Sequence, residues 1–180
     1  ATTINPQGDF TREQAAKLIA YASLGQSAAD NLKAGTAPFT DVAADRWSAG
    51  YIAYCQKNNI INGLGDGTFN PAAKVTGYQY AKMLLCAVGY GANKEYDTVS
   101  WTIAVAKDAI PLGIYTGDMS AAVETPITRQ QAILLAFNTF TSVYKVSYSS
   151  LLGTYTVGGS LNTTTTGVTL AESVYHIYCD

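Results

Sequence analysis

Three stretches of the chain repeat one pattern of apolar and polar positions. They are Phe10-Thr11-Arg12-Glu13-Gln14-Ala15-Ala16-Lys17-Leu18-Ile19, Val75-Thr76-Gly77-Tyr78-Gln79-Tyr80-Ala81-Lys82-Met83-Leu84 and Ile127-Thr128-Arg129-Gln130-Gln131-Ala132-Ile133-Leu134-Leu135. In each an apolar residue precedes a threonine, and a glutamine stands three positions after that threonine. This is capping-box spacing: the hydroxyl accepts from a first-turn N–H while the glutamine reaches back to the threonine N–H. The apolar residue ahead of the threonine suits a hydrophobic staple. Behind each cap the apolar residues recur at helical spacing, as in Ala15, Leu18 and Ile19, or Ala132, Leu135 and Phe140. The pattern predicts helices over 12–24, 77–88 and 129–142.

A second element precedes two of these helices. Phe39-Thr40-Asp41-Val42 leads through Trp47, Tyr51, Ile52 and Cys55 to Ile60-Ile61-Asn62-Gly63, and Trp101, Val105, Ala106 and Ala109 lead to Ile114-Tyr115-Thr116-Gly117. Trp47 and Trp101 stand as far apart as Gly63 and Gly117, a coincidence that marks a repeat. Helices are expected over about 46–58 and 99–109, and the glycines suit tight turns. The layout is a repeat array over 1–143: a partial repeat at 1–25, a repeat at 39–90 and a divergent repeat at 96–142. One amphipathic helix cannot bury its own face, so each must dock on a neighbouring repeat.

Beyond residue 143 the period changes from helical to alternating. Tyr144, Val146 and Tyr148, then Tyr155 and Val157, alternate with polar residues, and Gly158-Gly159-Ser160 signals a turn. Val174, Tyr175, Ile177 and Tyr178 suggest a last strand. Residues 144–180 therefore read as a linker or small β appendage. The expected fold is mainly α, a helical repeat array with a small β-rich C-terminal appendage.

Composition narrows the function. Of 180 residues, 48% are hydrophobic, enough for a core, but only 13% are charged against roughly a quarter in an average domain. With thirteen tyrosines, such a surface suits hydrogen bonding and stacking. The net charge is -2 and the eleven basic residues are scattered singly, which argues against nucleic acid. No stretch is long and apolar enough to span a membrane. The opening Ala1-Thr2-Thr3-Ile4 has no signal-peptide pattern, as expected of a mature secreted chain or an excised fragment. Cys55 and Cys86 lie in apolar helical patterns; quiet buried thiols are the default reading, and a disulfide between them stays open.

The Phe39–Asp41–Val42, Trp47, Ile60–Gly63, Gly65-Asp66-Gly67-Thr68-Phe69-Asn70-Pro71 and Val75-Thr76 series resembles the S-layer homology domain of bacterial cell-surface proteins. Thr11-Arg12-Glu13-Gln14 is similar to that family's Thr-Arg-Ala-Glu signature, and Thr128-Arg129-Gln130-Gln131 is a looser version. The resemblance covers about residues 4–142. It implies a three-repeat pseudo-trimeric helix bundle, non-catalytic, at the bacterial cell surface or wall. It further implies binding of an acidic secondary cell-wall polysaccharide, often carrying pyruvylated amino sugar, in grooves between repeats, without a cofactor or metal. Carried onto this chain, Arg12 and Arg129 would meet the acid group, and Trp47, Trp101, Gly63, Asp66 and Gly67 would shape the groove. The middle tetrad has Gly77 in the arginine position, and Ala121-Ala122-Val123 stands where the third glycine-rich loop would be. The resemblance thus implies at most two chemically intact sites. The alternative is a degenerate structural or protein-interaction module of a surface protein.

Each candidate has a plainer reading. A cation in a first helical turn opposes the helix dipole, so Arg12 and Arg129 invite an anion held jointly with free first-turn N–H groups; otherwise they are ion-paired or solvated. The tryptophans are expected in core or inter-repeat packing, with sugar stacking as the rival. Asp66 stands nearly alone in its loop, unlike an EF-hand, and Gly63 and Gly65 lack the βαβ context of a dinucleotide fingerprint. His176 has no acid–base cluster, Asn162-Thr163-Thr164 is a weak glycosylation pattern, and no carboxylate pair points to glycoside hydrolysis.

Overall fold

The computed structural model describes residues 5–115, 123–157 and 167–177. Gly117, Ala121, Ala122, the Gly158–Ser160 turn, the Asn162–Thr164 pattern, Tyr178 and Cys179 lie outside them. The elements are α1 (Arg12–Leu24), α2 (Gln26–Asp30), α3 (Ala49–Lys57), α4 (Gly77–Ala87), α5 (Trp101–Ala109), α6 (Arg129–Ser142), β1 (Val146–Ser149), β2 (Thr154–Val157) and α7 (Leu170–Tyr175). The described chain is mainly α with one two-stranded sheet.

All three predicted capping boxes form. The backbone N–H groups of Gln14, Gln79 and Gln131 donate to the hydroxyls of Thr11, Thr76 and Thr128, and the threonine N–H groups donate to the glutamine side chains. Helices α1 and α6 have the expected limits, and α4 stops one residue early, with Val88 as its C-cap. The two helices expected to carry the tryptophans are shorter than expected: α3 begins after Trp47, and α5 begins at Trp101. Ser48 and Ser100 precede α3 and α5 without a side-chain cap, so nothing local extends either helix upstream.

The capped helix starts are joined in a ring. Short antiparallel bridges link Thr11 with Lys74, Thr76 with Pro126, and Asp9 with Thr128. At each start the first two helical N–H groups donate to a neighbouring loop: Arg12 and Glu13 to the carbonyls of Ala73 and Pro71, Gly77 and Tyr78 to Thr125 and Val123, Arg129 and Gln130 to Gly8 and Pro6. A helix leaves its first four N–H groups without intrahelical partners. Here the loop of the next unit and the threonine cap take up the first three. The residues that precede the caps, Phe10, Val75 and Ile127, are buried, and Val75 and Ile127 donate their N–H groups to Phe10 and Val75. Around this ring α1 packs on α3 and α4, α4 on α5 and α6, and α7 on α1 and α6.

The C-terminal segment departs from its expected form. β1 and β2 pair antiparallel as the alternation predicts, with Val146 opposite Val157 and Tyr148 opposite Tyr155. Of the residues expected in a last strand, Val174 and Tyr175 instead end helix α7, which is started by a Thr169–Glu172 capping box and stopped at left-handed His176. Tertiary docking selects the helix: Leu170 and Ala171 are buried, and the Tyr175 hydroxyl donates to the Tyr21 carbonyl. Cys55 and Cys86 are free thiols, each pushed up to about 12, chiefly by burial.

Candidate functional site

Arg12 occupies the first helical position of α1 and is only 9% exposed. Its Nε donates to the Phe69 carbonyl at 2.7 Å, and the guanidinium lies 4.5 Å from the centre of the Phe69 ring. Asp41 fixes that partner by accepting from the Phe69 and Asn70 N–H groups at 2.8 and 2.7 Å. Burial lowers the Arg12 pKa against the opposing charge of Asp41, yet an arginine stays cationic at neutral pH. Among the described residues, its two terminal amino groups have no protein acceptor. The expected anion cradle of free first-turn N–H groups is overturned, because those donors are spent on Ala73, Pro71 and the Thr11 hydroxyl. Any anion at this point must be held by side chains.

A groove of about 260 Å³ opens beside Arg12. The loop that ends α3 supplies Asn62 and Gly63, α4 supplies Gln79 and Lys82, and α5 supplies Trp101. Arg12, Gly63 and Trp101, far apart in sequence, therefore line one groove. Gly63 has φ +71°, and a Cβ there would stand 2.6 Å from the Phe39 ring and 2.7 Å from the Thr68 carbonyl. Only glycine satisfies both demands.

Lys82 is the groove residue that sequence reasoning missed. Its Nζ donates to the Tyr96 carbonyl at 2.7 Å and to Asp97 Oδ1 at 3.2 Å, 5.7 Å from the Trp101 ring. A signal existed: Lys17 and Lys82 hold the same place after Thr11 and Thr76, where the third copy has Leu134. Lys17 likewise lies over rings, 5.3 Å from Tyr21, 5.9 Å from Trp47 and 5.7 Å from Tyr51. The groove on α4 thus takes its arginine from α1, so Gly77 does not empty it. Gly77 has its own reason, since a Cβ there would stand 2.8 Å from Val123 Cα.

The other candidates lie elsewhere. Trp47 is 54% exposed beside Lys17 rather than packed in the core or between repeats, while Trp101 is half-buried. Arg129 is half-buried, with Nε on the Asp9 carbonyl at 3.2 Å, and does not line the Arg12 groove. Asp66 turns back on its own loop, accepting from Thr68 N at 2.9 Å and Thr68 Oγ1 at 2.6 Å, which lowers its pKa. The Gly67 carbonyl accepts from both Thr40 donors. Both residues shape the loop without lining the groove. Among the described residues, no three His, Cys, Asp or Glu side chains are grouped to hold a metal, and no helix is long and apolar enough to cross a membrane.

Comparison with known proteins adds the deciding observation: residues 38–81 match the S-layer homology domain. This segment is similar to that domain. The match takes in α3, the Gly63–Gly67 loop and the start of α4. Arg12, Lys82, Trp101 and Arg129 lie outside the matched S-layer homology segment. An endoglucanase from Bacillus sp. (strain KSM-635) is 32% identical over 114 residues, covering 60% of this chain. The chain spans only 12% of that relative's length.

Proposed function

We propose that the chain is a non-catalytic cell-surface module that anchors its parent protein to the bacterial cell wall by binding an acidic secondary polysaccharide. The three capped helices correspond, on this reading, to the family's three repeats, with 144–180 an appendage whose α7 packs on α1 and α6. The observation that carries the proposal is the groove that Arg12, Lys82 and Trp101 line together. Two cations on a wall that also offers an indole and an amide suit a sugar bearing an acid group. The sparse surface charge leaves recognition to such local contacts rather than to long-range steering. The likeness to part of an endoglucanase fits an attached module, and no catalytic activity is carried over from it.

The test is co-sedimentation with purified cell walls before and after chemical removal of the secondary polymer. Binding should depend on the polymer. Arg12→Ala should weaken it roughly 10-fold or more, the scale of one lost charge-assisted hydrogen bond. Lys33→Ala should leave it unchanged. Because Arg12 also supports Phe69, Lys82→Met serves as a second groove variant, and thermal melting identifies any unfolded protein. Equal losses for Arg12 and Lys33 variants, or no polymer-dependent binding, would overturn the proposal. The second reading, a structural or protein-interaction module, is favoured by α6, whose Ile133, Leu134 and Phe137 are exposed, Leu134 standing where the other copies offer a lysine. It expects sedimentation that polymer removal does not change.

A further inference from the structure

An anion stands beside the middle groove, in an adjoining hollow that shares Asn62 and Lys82 with it. Asp97 Oδ1 accepts at once from Lys82 Nζ at 3.2 Å and from Asn62 Nδ2 at 3.1 Å, and both donors line the groove. One carboxylate oxygen bridging an ammonium and an amide is the arrangement that an acidic sugar would require there. Lys82 does not depend on Asp97 for its position, since it also donates to the Tyr96 carbonyl at 2.7 Å and lies over Trp101. The Asp97 side chain is 42% exposed and belongs to a turn, so it can leave without dismantling an element. Asp41 makes the contrast. Within Phe39–Val42 it clamps two backbone N–H groups of its own repeat, whereas the described side-chain partners of Asp97 are Lys82 and Asn62. Lys17, at the equivalent place on α1, meets three aromatic rings and has no carboxylate partner among the described residues.

We infer that Asp97 is a built-in competitor of the middle groove: it fills the anion position on Lys82 and Asn62, and the acid group of the bound saccharide displaces it. This rests on the glycan reading above. Displacement exchanges one ion pair for another, so Asp97 weakens the affinity of this groove and raises its selectivity. An uncharged sugar cannot supply the replacement charge. The Lys17 shelf carries no such competitor, which makes the two lysine sites unequal.

The experiment titrates the acidic polymer released from purified walls by hydrofluoric acid against the full chain at low and high salt. Asp97→Asn keeps an acceptor for Asn62 but removes the charge from Lys82. It should tighten binding roughly two- to fivefold at low salt, the worth of a partly exposed ion pair, with less gain at high salt. In a Lys82→Met background the same substitution should have no effect, and Asp97→Glu should restore ordinary affinity. A wild-type chain that does not bind the polymer sinks the glycan reading itself. If the wild type binds but Asp97→Asn leaves affinity unchanged or lower, the competitor role is wrong. A gain that persists without Lys82 also overturns it, since the carboxylate then acts as a diffuse repulsive charge.

Discussion

Exchanging Glu13 for glutamine removes one charge from a buried ion pair that orients the first capped helix. Glu13 is the second residue of α1, and its side chain is 9% exposed. It receives Arg46 Nε at 2.9 Å, the Arg46 terminal nitrogen at 3.1 Å and the buried Ser48 hydroxyl at 2.6 Å. Breaking such a pair from one side costs about 3–5 kcal/mol when both partners are buried. Arg46 is 34% exposed and recovers some hydration, so the loss expected at pH 7 is about 2–3 kcal/mol. The amide nitrogen of glutamine also faces the Arg46 donors. Burial alone would raise the Glu13 pKa, but the hydrogen bonds from Arg46 and Ser48 and the charge of Arg46 outweigh it, and the value falls below 4.5. A depressed folded-state value means that this stabilisation is complete above the unfolded carboxylate pKa and is lost as pH falls through the folded one. Urea unfolding of both proteins across this range should show a gap at neutral pH that closes in acid. A gap under about 1 kcal/mol at pH 7, or one that persists undiminished in acid, would refute the reasoning.

Two further substitutions test the ring and its core. Tyr80 is fully buried, edge-on to Phe10 at 5.2 Å, and its hydroxyl has no partner among the described residues. Removing an unpaired buried hydroxyl relieves its desolvation, so Tyr80→Phe should raise the urea midpoint by the equivalent of about 1 kcal/mol. A comparable loss would mean that the hydroxyl is hydrogen-bonded after all. Gly77→Ala should be destabilising by about 1–3 kcal/mol, since the new methyl meets Val123 Cα at 2.8 Å. In an ordinary exposed helix position the same change would stabilise by about 1 kcal/mol, so a net gain in thermal unfolding would refute the close contact.

The capped helices were legible because a capping box is local: Thr11 and Gln14 are three residues apart and satisfy one another wherever the helix lies. The hairpin was legible for a similar reason, its two-residue period being written into Tyr148, Tyr155 and their neighbours. Helix α7 was not legible. Its Thr169–Glu172 cap was present in the sequence, but six residues carry too little period to outweigh an apparent alternation, and burial of Leu170 against α1 and α6 decides the matter. The lysine register was visible at Lys17 and Lys82, yet nothing in the sequence separates a groove lysine from one on a solvated helix face.

By itself, then, the sequence determined the start of each capped helix, the glycine at position 63 and the family likeness of the segment around it. Each depends on neighbours within a few residues, on one backbone conformation or on an ordered string of residue types. Only the tertiary structure decided what surrounds Arg12. The first-turn N–H groups were taken by carbonyls of Ala73 and Pro71, the guanidinium was turned onto Phe69, and Lys82 and Asn62, joined through Asp97, were brought into the same groove. These contacts join residues from four separate segments of chain. Hydrogen-bond satisfaction at buried helix ends, rather than residue type, selects which donors remain for a ligand.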